Sequence, residues 1–82
     1  MPFLWDSQNT AHLAAHGVDP ETAEAVFSAP DAVFCPSPSG QGRIECEGTV
    51  AGRLHRLVFS RIAGSVDLYP ISCFPIRKRR TP

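Results

Sequence analysis

The chain has 82 residues, enough for one domain and one core. Eight Lys and Arg balance eight Asp and Glu, so the molecule as a whole has no net pull on a polyanion, and no apolar run approaches the ~18 residues of a membrane span. Three cysteines, Cys35, Cys46 and Cys73, are odd in number and form no C-x-x-C pair, which argues against a disulfide framework or zinc knuckle and leaves reduced, buried thiols as the expectation. The opening "MPFLWD" has neither a basic n-region nor an apolar h-region, so the expected location is cytoplasmic. Asp6 is placed to cap a helix over Ser7 to His16, which Gly17 ends. In "VDPETAEAVF", Asp19 caps a second helix, Pro20 opens it, Glu21 suits its first turn, and Ala23, Val26 and Phe27 share an apolar face. Pro30 blocks continuation past about Ser28.

Beyond Pro30 the pattern becomes β-branched and aromatic. "AVFCPS" predicts a brief strand ended by Pro36, and "PSPSGQG" a loop. "RIECEG" alternates Arg43, Glu45 and Glu47 with Ile44 and Cys46, as a strand with one wet face does. "TVAG" turns the chain into the long strand "RLHRLVFSRI", and "AGS" turns it into "VDLYPISCF", where Pro70 requires an edge or a bulge. Strands are thus expected near 43–47, 53–62 and 66–73, with Pro2 to Trp5 available as an added edge segment. The fold class is α+β: two N-terminal helices on an antiparallel sheet of three or four strands, in a single domain spanning residues 1–82 with a basic tail at 76–82. Trp5, Leu13, Val26, Phe27, Leu57, Phe59 and Ile71 are the expected buried residues.

Charge is divided along the chain. Residues 1–42 hold five acids and no cation, whereas residues 43–82 hold all eight cations against Glu45, Glu47 and Asp67, giving −5 and +5. Such a division points to an acidic or polyanionic partner, or to two halves that neutralise each other in one fold.

The order and spacing of "LWD", "HLAAHGVDPETAEAVF", "GRLHRLVFSRI" and "ISCFPIRKRR" resemble the BrnT family of bacterial toxins, small RelE-like ribonucleases. That resemblance covers nearly the whole chain. It implies a RelE-like fold, a toxin of a type II toxin–antitoxin system, metal-independent cleavage of RNA without a cofactor, and neutralisation by a cognate antitoxin that is a small DNA-binding protein. The chain departs from the family pattern at His12, where asparagine is usual, at Ala15, where lysine is usual, at Gln8, and at Phe74, which stands where "I-S-A-R" has its arginine.

Cleavage through the 2′-hydroxyl needs a base, a cation for the extra phosphate charge and an acid for the 5′-oxygen, roles that histidine and arginine can fill. The candidate catalytic residues are His16, Arg43 and Arg61, with His55 a further option. Arg53, Arg77, Lys78, Arg79 and Arg80 are the candidate RNA-backbone contacts, the tail acting through salt-dependent attraction without base choice. Arg43 and Arg61 read equally as solvated strand ends, and His16 as a helix-end residue satisfying a terminal carbonyl. His12 and His16, four apart, could hold a metal, but no carboxylate is near in sequence; no metal is expected. The rival functional class is a catalytically silent interaction module with the same fold.

Overall fold

Short-range polar groups fix the helices of the computed structural model, which describes residues 3–79. In α1 (Ser7–Ala14) the Asp6 carboxylate accepts from the Asn9 N–H at 2.8 Å, while the Asn9 side-chain oxygen accepts from the Asp6 N–H at 2.9 Å, a reciprocal capping box. Its end is a Schellman turn: Gly17, at φ 73°, donates to the Ala14 carbonyl, and the Val18 N–H donates to that of Leu13. The turn carries Leu13 and Val18 together into the core. The expected last residues of this helix form that closing turn. α2 (Pro20–Phe27) opens on Pro20 with Asp19 accepting from the Thr22 N–H at 2.8 Å, and buries Ala23 and Val26.

Four antiparallel strands follow as a meander in the order β1-β2-β3-β4: β1 (Val33–Pro36), β2 (Arg43–Val50), β3 (Arg53–Arg61) and β4 (Leu68–Pro75). β2 runs past its expected end because Gly48, Thr49 and Val50 pair with His55, Leu54 and Arg53 down to a two-residue turn. Ala51 and Gly52 in that turn have φ 52° and 77°, the left-handed pair that lets two residues reverse a twisted hairpin. β4 is an edge strand, and the β3–β4 register shifts between Val58 and Phe59, opposite Ser72 and Pro70. Pro70 therefore sits at both an edge and a bulge, as its missing N–H requires. Phe3 forms an isolated parallel bridge with Leu68.

The helices cover one sheet face, where Cys46, Leu57, Phe59 and Cys73 join Leu13, Val18, Ala23 and Val26 in the core. Trp5, Phe27 and Ile71, expected inside, are only half-buried. Trp5 lies at the margin with its indole N–H donating to Glu24 at 2.8 Å, and the rings of Phe3 and Phe27 meet edge to face at 5.0 Å. Fully buried Pro70, Cys46 and Cys73 fill the centre. Burial pushes the thiols of Cys46 and Cys73 up to about 12, and all three cysteines are free.

Gly48 lets the end of α2 and the turn after it lie directly on the sheet, since a Cβ there would lie 2.7 Å from the Val26 carbonyl oxygen and 2.9 Å from the Ala29 methyl. Gly48→Ala is expected to cost about 2 kcal/mol by overpacking, measured as a lower denaturant midpoint at unchanged slope.

Three exposed carboxylates have depressed pKa values. Asp6 is held below 3.8 by the Asn9 N–H and then the Tyr69 hydroxyl, Asp19 by the Thr22 hydroxyl and N–H, and Asp31 by the Thr49 hydroxyl and N–H and then by Arg79. Because the folded values lie below the ordinary one, the stability these groups contribute is complete above pH 3.8 and is lost as pH falls through the depressed values. The thermal midpoint is expected to fall below that pH, and Asp6→Asn to remove part of the dependence.

Candidate nucleic-acid interface

Among the described residues the fold sorts seven cations into two that are engaged internally and five that are not. Arg56, on β3, points to the face away from the helices, where its Nε and Nη2 donate to the same Glu47 oxygen at 3.0 and 2.8 Å and Nε lies 3.5 Å from Glu45. Both carboxylates are buried, and Ser37 donates to Glu45 at 3.1 Å. Arg79 is docked on the fold: it pairs with Asp31 at 2.7 Å and donates to the backbone carbonyls of Asp31 and Glu47. Arg43, Arg53, Arg61, Arg77 and Lys78 form no ion pair among the described residues. Arg80 lies outside the described residues.

Pairing register separates the expected catalytic trio. Arg43 pairs with Ser60, the neighbour of Arg61, so the two arginines share one rim of the sheet but leave it from opposite faces, Arg61 on the helix side with Phe59 and Arg43 on the other. His16 lies at the other end, its exposed ring 5.7 Å from that of Phe74, which pairs with Arg56 and lies 5.9 Å from its guanidinium carbon. The five residue steps of β3 from Arg56 to Arg61 span roughly 16 Å, too far for His16 and Arg61 to serve one phosphate. The His16 ring forms no hydrogen bond to a helix-end carbonyl among the described residues; it packs between His12, at 5.7 Å, and Phe74. His55 is buried with Nδ1–H donating to the Arg53 carbonyl at 2.9 Å, a structural role.

At the arginine rim the fold assembles what the linear sequence did not suggest. Arg61, Ser65, Val66, Asp67 and Leu68 line a surface depression of about 380 Å³, so that an acidic residue and an arginine without an ion pair among the described residues border the same hollow. A second hollow of about 320 Å³ shares Arg61 and Leu68 with it and is otherwise walled by Phe27, Phe34, Ile44 and Phe59. Asp67 escaped notice because it enters the chain in a turn with no motif around it; only strand pairing returns it to Arg61. At the opposite end Arg53, Arg77 and Lys78 gather, since β4 runs out alongside the start of β3 and the Ile76 N–H donates to the Leu54 carbonyl. Among the described residues no three His, Cys, Asp or Glu side chains are grouped to hold a metal, and no helix is long and apolar enough to cross a membrane.

Two helices followed by a four-stranded antiparallel meander place the chain in a small α+β class with cations at both ends of its sheet. The same fold occurs in the crystal structure of the ribonuclease toxin BrnT of Brucella abortus, with a TM-score of 0.68 and 23% identity over 93% of this chain and 96% of that one. No family model matches the chain, and no curated protein matches it in sequence.

Proposed function

We propose that the protein is a toxin-type endoribonuclease that cleaves RNA without a metal in the cytoplasm and is neutralised by a cognate antitoxin, a small DNA-binding protein. The observation that carries this reading is the fold shared over nearly the full length of a ribonuclease toxin. The rim chemistry supports it. Asp67 is the proposed base for the 2′-hydroxyl, and Arg61 holds the charge that grows on the phosphate as the 2′-oxygen attacks and the 5′-oxygen leaves, with Arg43 adding positive potential at the same rim from the other sheet face. Arg53, Arg77 and Lys78 hold the backbone at the far end, with His16 beside them as a binding group. Arg79 contributes less, because binding RNA through it requires giving up Asp31.

Inducing the gene alone is expected to arrest growth, and co-expressing the neighbouring antitoxin frame to relieve the arrest; normal growth with abundant folded protein contradicts the toxin reading. Replacing Arg53, Arg77 and Lys78 with Gln is expected to lower RNA affinity and to flatten its salt dependence by roughly 2 in log–log slope, at ~0.7 per phosphate contact, with turnover at saturation unchanged.

A second reading, a silent interaction module, draws on one observation. Phe74, which by the resemblance stands where the BrnT pattern has an arginine, lies between His16 and an Arg56 already engaged by Glu47 and Glu45. Under that reading the purified protein binds its partner and leaves RNA intact.

A further inference from the structure

We propose that the hollow walled by Phe27, Phe34 and Phe59 is a pocket for one unstacked nucleobase of a single-stranded RNA, with the adjoining phosphate held by Arg61. The inference rests on the RNA-cleaving reading and adds the place where the substrate is gripped. The three rings pack edge to face, pairwise at 69° to 79° with centroids 5.2 to 6.5 Å apart, so that buried Phe59 forms the floor of the hollow and half-buried Phe27 and exposed Phe34 its accessible aromatic surface. A flat ring laid on one wall meets the others at their edges, the offset and edge-on geometry that aromatic groups prefer. Ile44 and Leu68 complete the lining, and Phe34 is 47% exposed although its ring is large and apolar.

Charge selects among occupants. Arg61 stands at the pocket mouth with no ion pair among the described residues, while the lining offers no other charged group. A ligand that satisfies both parts has a flat, stackable body and an anionic group one bond system away, which is the make-up of a nucleotide. Stacking on aromatic side chains with a nearby guanidinium is also how sequence-tolerant single-strand sites gain affinity. Because Arg61 and Leu68 line the Asp67 depression as well, a base seated here delivers its own phosphodiester to the proposed base and cations.

The test is titration calorimetry of a 2′-O-methyl tetranucleotide, which cannot be cut, against an abasic oligomer of the same length and charge, on wild type, Phe34→Leu and Phe34→Tyr. Leucine keeps volume without a π-face, and tyrosine keeps the ring. The proposal expects the wild type to prefer the base-containing oligomer, Phe34→Leu to weaken that oligomer by roughly tenfold while leaving the abasic one unchanged, and Phe34→Tyr to retain wild-type affinity. Equal binding of both oligomers, unaffected by Phe34→Leu, overturns the pocket while leaving the RNA reading intact. Wild type that binds neither oligomer overturns the RNA reading and the pocket with it. Unchanged oligomer binding with lost binding of the co-expressed antitoxin by Phe34→Leu overturns the proposal in favour of an apolar anchor from a protein partner.

Discussion

Arg61→Ala is expected to lower RNA cleavage at saturating substrate by roughly 10² to 10³, the cost of removing one preorganised donor from a transition state that gains charge. Arg61 is the shared wall of the Asp67 depression and the aromatic hollow, and it has no ion pair among the described residues to compete for its guanidinium. Its loss removes a phosphate ligand without leaving a buried charge behind, since the side chain is exposed. Folding should therefore be unaffected, and the thermal midpoint is the control. Arg43→Ala is expected to have a smaller effect in the same direction, because Arg43 reaches that rim from the opposite face of the sheet. His16→Ala, at the far end beside Phe74, is expected to weaken binding with much less effect on turnover. Equal losses in turnover for His16 and Arg61 variants would contradict the separation of the two ends.

The second large effect is expected at Asp67. Asp67→Asn keeps the shape of the side chain and removes the proposed base for the 2′-hydroxyl, so turnover is expected to fall by roughly 10² to 10⁴ while affinity for uncleavable RNA holds or rises with the loss of a negative charge. Single-turnover rates separate the two quantities. A variant that cuts as fast as wild type removes Asp67 from the mechanism.

The helix caps were legible in the sequence because each is closed within a few residues: Asp6 with Asn9, Asp19 with Thr22, Gly17 with the turn before it. Strand order was legible for the same reason, each strand being joined to the next by a short turn. Burial was read less well where it depends on distant elements. Phe27 has the helical spacing of a core residue, yet α2 brings it to the edge of the sheet, where it opens onto the hollow with Phe34 and Phe59. Pro70 has the edge and bulge position that its missing N–H requires, but its full burial at the centre of the packing has no signal in the linear sequence.

The candidate site divided along the same line. Arg43 and Arg61 were legible as strand ends, and register set them on one rim. His16 looked like their partner because histidine suits the chemistry, but nothing in the linear chain states that the end of α1 lies beside Phe74, at the other end of β4. Arg79 read as one of a run of free cations, whereas the path of the tail carries it to Asp31 and the Glu47 carbonyl. Arg56, absent from the expected set, is the most completely engaged cation of the strands, through alternation that aligns it with Glu47 across the β2–β3 pair.

The central claim, cleavage through the 2′-hydroxyl by the protein's own side chains, is tested most directly by incubating the purified chain with a short single-stranded RNA in excess chelator and examining the fragment ends. The account predicts cleavage in chelator, fragments ending in a 2′,3′-cyclic phosphate, and no cut at a position where the 2′-hydroxyl is replaced by hydrogen. RNA that stays intact in the presence of folded protein, or a cut that survives removal of the 2′-hydroxyl, would contradict it.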